Sequence, residues 1–118
     1  MLYHVAGFVP DNNNTVYLKP GTQNSCGVGV YFTEGFPQLQ YAGGERSQFQ
    51  WFEEFVIVFA ISTEMAKDLG FFRSKNKPGR PRFWHSNGQT IAFSPQYTEE
   101  VIEGKCCRVY SITIKEGE

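Results

Sequence analysis

FVIVFAI, residues 55–61, is the clearest structural element in the chain: an uninterrupted apolar run of phenylalanine, valine, isoleucine and one alanine. Such side chains suit a pleated surface, and a run without polar alternation has to bury both of its faces. The stretch therefore predicts a central strand. Directly after it, Ser62 can cap a short helix over residues 63–69, with Glu64 in its electropositive first turn and Gly70 just past its end.

Outward from this pair, the N-terminal half offers three shorter strands. Residues 2–6 (LYHVA) are apolar apart from His4 and are broken by Gly7, Pro10 and the polar residues 11–14. Residues 15–18 (TVYL) form a second β-prone run, ended by Lys19-Pro20-Gly21. Residues 29–32 read as a strand emerging from a glycine-rich turn, and Pro37 opens a turn or two of helix over 37–42, closed by Gly43-Gly44. Residues 45–52 fit a helix or an extended loop equally well.

In the C-terminal half, residues 73–82 (RSKNKPGRPR) hold five cations, two prolines and no acid, a solvated loop by composition. Residues 90–93 are a brief strand before Ser94-Pro95. Glu99, Glu100 and Glu103 read as a surface turn, and the alternating residues 107–115 as a half-exposed last strand. The sum is one α+β domain over residues 1–118, rich in strands, with two small helices.

Composition narrows the function classes. With 118 residues, 41% hydrophobic and 16% aromatic, the chain can build a single core. A net charge of −1 gives no global basic footprint for nucleic acid. No apolar run reaches membrane-spanning length and nothing resembles a signal peptide, so the expectation is a cytoplasmic protein without membrane attachment, and a monomer. Cys26, Cys106 and Cys107 are odd in number, and two of them are adjacent, so reduced thiols are expected. Neither they nor the two histidines have metal-ligand spacing, so no metal is expected.

The run CGVGVYFTEGFPQLQYAGG, residues 26–44, sets glycines, a short strand and two tyrosines close together. A flat cationic ring joined to a ribose and a pyrophosphate needs aromatic faces, backbone donors and acceptors, and a neutral imidazole or hydroxyl for the sugar. His4, Tyr31 and Tyr41 offer that set, and Gly29 permits close backbone approach. LYHVAG (2–7), CGVGVYF (26–32) and Tyr41-Ala42 resemble, in order and kind, motifs of the diphtheria-toxin-like and poly(ADP-ribose) polymerase-like ADP-ribosyltransferases.

The resemblance implies a small ADP-ribosyltransferase-like fold, two packed antiparallel-rich sheets with short helices and an NAD cleft. It further implies that His4 orients a ribose of NAD, that the Val5 backbone bonds the nicotinamide amide, and that Tyr31 and Tyr41 stack on the nicotinamide ring. The family's third motif opens a strand with glutamate. Here QTIAF (89–93) puts Gln89 at that place, with Asn87 two residues earlier, so the hydrogen bond is kept and the charge is lost. The basic loop and the residues after it, Arg80, Arg82 and Trp84 among them, fall where the family recognises its acceptor.

The implied activity is mono-ADP-ribosyl transfer from NAD, used as a substrate, to a protein acceptor, with nucleic acid as the alternative acceptor. So small a chain suits a bacterial or phage effector or toxin. Two other classes fit the same residues: a non-catalytic module that binds NAD or ADP-ribose, and an inhibitory or structural protein working through its aromatic surface and basic loop. Taken singly, each residue has a plainer explanation. His4 on an apolar strand fits a core histidine, the glycine run a bulged strand, and Tyr41 a packing residue.

Overall fold

The computed structural model describes residues 1–6, 15–21, 27–35, 56–75, 78, 82–102 and 104–112. Among the described residues nine strands and one helix follow in chain order: β1 (Leu2–Ala6), β2 (Val16–Leu18), β3 (Tyr31–Glu34), β4 (Val56–Ile61), α1 (Thr63–Asp68), β5 (Phe72–Arg73), β6 (Phe83–His85), β7 (Ile91–Phe93), β8 (Tyr97–Ile102) and β9 (Lys105–Ser111). Seven strands make one sheet in the order β5-β6-β3-β1-β4-β9-β8, and β2 with β7 makes a second. Every pairing is antiparallel except that of β4 with β9. The strand-rich mixed fold with a mostly antiparallel sheet agrees with the expectation; the parallel pair was not foreseen.

Strand β4 lies inside the large sheet and is buried on both faces, as its sequence demands. Ile57, Phe59 and Ile61 join the main core, while Val58 and Ala60 join a second cluster with Val5, Cys107 and Val109. The main core is also where the two sheets meet. Val16, Leu18, Ile91 and Phe93 from the small sheet pack against Leu2, Phe32, Phe59 and Tyr110 from the large one. Phe93 sits 4.8 Å from Phe59 and 6.3 Å from Phe32, centroid to centroid, so aromatic contacts tie the layers together.

Helix α1 is capped at both ends. The Ser62 hydroxyl accepts from the Met65 amide at 3.1 Å. At the other end Gly70, at φ +78°, lets its amide donate to the Lys67 carbonyl while the Phe71 amide donates to Ala66. These paired bonds satisfy two of the carbonyls that a helix C-terminus leaves open.

Several boundaries differ from the sequence expectation. Strand β3 starts at Tyr31, two residues later than expected at Gly29, and β9 starts at Lys105, two residues earlier than expected. Arg73 belongs to β5 and is not loop, because it pairs with Trp84 of β6, a strand that composition alone did not suggest. Glu99 and Glu100 lie on β8, opposite Arg108 and Cys107, and not in a surface turn. Strand pairing overrode a polar composition there. The expected helix over 37–42, the segment 45–52 and Glu103 lie outside the described residues.

Candidate functional site

The side of the large sheet on which a side chain emerges follows from strand alternation. On β1, Leu2 points into the main core, and so does His4, whose ring lies 5.6 Å from Phe32 and 6.3 Å from Phe59. On β3, Phe32 enters that core, so Tyr31 leaves from the opposite face. Its ring stacks on His85 at 5.0 Å and meets Phe83 at 5.3 Å. His4 and Tyr31 therefore meet through backbone: His4 Nδ1 lies 2.7 Å from the Tyr31 carbonyl oxygen.

That bond fixes the chemistry of the imidazole. A carbonyl only accepts, so Nδ1 carries the proton and, in the neutral ring, Nε2 is left as an acceptor. Burial pushes His4 below the ordinary imidazole value, partly opposed by the hydrogen bond to the Tyr31 backbone. At neutral pH His4 is an uncharged acceptor.

The same residue lines an open groove of about 500 Å³. One wall is His4 with Gly29, Val30 and Tyr31; the other is Tyr17, Leu18, Lys19 and Gly21. The groove thus lies between β2 of the small sheet and the β1–β3 side of the large one. Its size is that of a small-molecule site.

The glycine run has a structural task here. A Cβ on Gly29 would lie 2.9 Å from His85 Nδ1 and 2.9 Å from the Ser86 amide nitrogen, and Gly27 holds φ +121° beside the His85 ring. Glycine is required because this loop closes over His85 and Ser86. The Tyr31 hydroxyl donates to the Gly27 carbonyl at 2.5 Å, pinning the loop to the ring it precedes. Ser86, fully buried, accepts from the Val30 amide at 2.9 Å and donates to the Gln89 carbonyl at 2.6 Å. One hydroxyl joins the groove wall to the turn that holds Gln89.

Gln89 itself is committed elsewhere. Its Nε2 donates to the Leu69 carbonyl at 2.6 Å, which satisfies another open carbonyl at the end of α1. It does not line the groove. A glutamate carboxylate in its place could not make this bond, since it has no proton to give. Asn87 and Gly88 form the turn between β6 and β7, both at positive φ (52° and 82°), and the Asn87 amide donates to His85 Nδ1 at 3.1 Å. Asn87 is exposed and makes the turn an Asn-Gly pair favours.

The remaining expected residues divide. Val5 is buried in the second cluster, with its backbone on β1. Trp84 is a core residue, not a surface contact for an acceptor: it is 4% exposed, and its Nε1 donates to Glu34 Oε2 at 2.6 Å. Arg73 Nε meets the same oxygen at 2.8 Å and its guanidinium lies over the Trp84 ring at 5.6 Å. The Arg82 carbonyl accepts from the Glu34 amide at 2.7 Å, while Arg82 Nε is buried with no hydrogen-bond partner among the described residues. Tyr41 and Arg80 lie outside the described residues.

The sequence reading missed Tyr17, Lys19, His85 and Ser86. The first two carried a readable signal: in VYLK, residues 16–19, a buried-exposed alternation sends Tyr17 and Lys19 to the same side. Among the described residues no cluster of three or more His, Cys, Asp or Glu could hold a metal ion, and no helix is long and apolar enough to cross a membrane. No protein-family model, curated protein or solved structure matches the chain.

Proposed function

We propose that the chain binds NAD in this groove and transfers its ADP-ribosyl group to a macromolecular acceptor, a protein in the first instance. The observation that carries this reading is His4: a neutral imidazole, held by the Tyr31 carbonyl, at the wall of an open groove edged by glycine backbone. Such a group accepts a hydrogen bond from a ribose hydroxyl without adding charge. Transfer breaks the bond between ribose C1′ and the nicotinamide nitrogen, and nicotinamide keeps the electron pair. The acceptor's nucleophile then bonds to C1′ and releases its proton to water. The resemblance in LYHVAG and CGVGVYF supports the assignment; the expected pairing of the His4 and Tyr31 rings around one ligand does not, since Tyr31 stacks on His85 from the face opposite His4.

The residues at hand orient the sugar better than they stabilise positive charge. With Gln89 tied to Leu69 and no carboxylate among the described residues lining the groove, none of these residues offers a counter-charge to the developing oxocarbenium ion. Slow transfer is the consequence. The same tether favours a second reading, a binding module for NAD or ADP-ribose without turnover.

Incubation with NAD separates the two. Release of nicotinamide together with a labelled acceptor, lost in Tyr31→Ala that still unfolds cooperatively, supports the transferase. Saturable binding without release supports the module. Neither release nor binding heat at millimolar NAD, where sites of roughly −4 kcal/mol still register, ends both.

A further inference from the structure

We propose that Tyr17 and Lys19 form the specificity-determining rim of the groove, selecting a ligand that carries a pyrophosphate and a planar base. This rests on the reading of the groove as an NAD site and adds which half of the dinucleotide the rim holds. Strand β2 buries Val16 and Leu18 and turns Tyr17 and Lys19 outward, and both outward residues line the groove. The platform beneath them is rigid, because Leu18 pairs with Ile91 and both belong to the main core.

Each rim residue has an unused binding capacity. Tyr17 is 53% exposed, and among the described residues no ring stacks on it. Lys19 is exposed and has no ion-pair partner among the described residues. With His4 neutral, Lys19 brings the only formal charge among the described residues that line the groove, and that charge is positive. A groove with one cation, one open aromatic face and glycine backbone on the facing wall matches a nucleotide phosphate next to a base. A neutral or cationic ligand leaves Lys19 unanswered. With the sugar next to nicotinamide at His4, the phosphates lie toward Lys19 and the adenine toward Tyr17.

The test is calorimetric titration of the full chain and of Lys19→Ala, Tyr17→Ala and Tyr17→Phe with NAD, ADP-ribose and nicotinamide riboside, which has no phosphate. Because both side chains point to solvent, thermal unfolding of the variants is to match that of the parent chain. Lys19→Ala is expected to weaken NAD and ADP-ribose roughly tenfold, the worth of a charge-assisted hydrogen bond, and to leave nicotinamide riboside unchanged. Tyr17→Ala is expected to cost a similar factor for the two adenine ligands, with Tyr17→Phe near the parent value.

Wild-type affinity for NAD that survives both alanine substitutions overturns the rim while leaving the NAD site standing. Equal losses for nicotinamide riboside also overturn it, since they place the residues against the other half. A parent chain that binds neither NAD nor ADP-ribose removes the functional reading and the rim with it.

Discussion

The two ends of strand β3 solve the burial of polar groups in opposite ways. At its far end Glu34 is answered on every side: Arg73 and Trp84 donate to its carboxylate, and the Arg82 carbonyl takes its amide proton. At its near end the Tyr31 carbonyl holds His4 by one ring nitrogen only, and the residue opens onto a groove. The first end uses up its polar capacity inside the fold; the second keeps an acceptor in reserve. A polar group satisfied by the protein ties strands together, whereas one left half-satisfied beside open space is where a ligand adds free energy.

The difference between the ends depends on the glycine loop that shapes the near one. Gly29→Ala is expected to have the largest effect, about 3 kcal/mol of lost stability, because its Cβ meets backbone and ring atoms at 2.9 Å that have no room to retreat. Chemical denaturation measures it. A loss under 0.5 kcal/mol, within the range of an ordinary surface change, would show that the loop does not close over His85 as described. Ser86→Ala follows at about 2 kcal/mol, since it strands the buried Val30 amide and drops the Gln89 carbonyl at once. Its effect reaches the groove wall, so the NAD binding proposed for the groove is expected to weaken together with stability.

Substitutions at the far end separate fold from site. Trp84→Phe removes the donor to Glu34 and leaves a smaller ring under Arg73, and about 1 kcal/mol is expected because the carboxylate is part-exposed and water can replace the lost bond. Ligand binding should not change. A Trp84→Phe chain that folds normally but loses NAD affinity would show the two ends coupled through Phe32, which pairs with Trp84 and packs on the His4 ring.

The comparison also marks what the sequence made legible. The run 55–61 announced a strand buried on both faces, and Ser62 and Gly70 announced both helix ends, because each rests on local chemistry that the neighbours only reinforce. Long-range pairing was not legible. Arg73 reads as one more loop cation until Glu34, 39 residues earlier, is seen to hold it, and Trp84 reads as a surface aromatic until the same carboxylate takes its indole proton. Gln89 drew attention as a departure from the resembled motif, but its partner, the Leu69 carbonyl at the C-cap of α1, is 20 residues upstream and invisible to any local pattern. The glycine loop drew attention for its spacing, and its local cause turned out to be His85 packed beneath it.

The smallest effect distinguishes the two ends by acid alone. Burial lowers His4 below the ordinary imidazole value of 6.5, so in that interval the unfolded chain holds a proton that the folded chain refuses. Stability from this source is complete above 6.5 and declines as pH falls below it. Glu34 is lowered from 4.5, first by its hydrogen bond with Arg73, and its contribution is likewise present above its unfolded value and lost as pH drops through the folded one. The groove end therefore weakens in a milder acid window than the clamped end. His4→Asn keeps a donor for the Tyr31 carbonyl and cannot titrate, so it should flatten the stability profile just below pH 6.5 while leaving the lower window intact. Glu34→Gln should do the reverse. Parallel profiles for His4→Asn and the parent chain across the upper window would mean that His4 is solvated, and its groove-side nitrogen would then be a charged donor, not an acceptor, in mild acid.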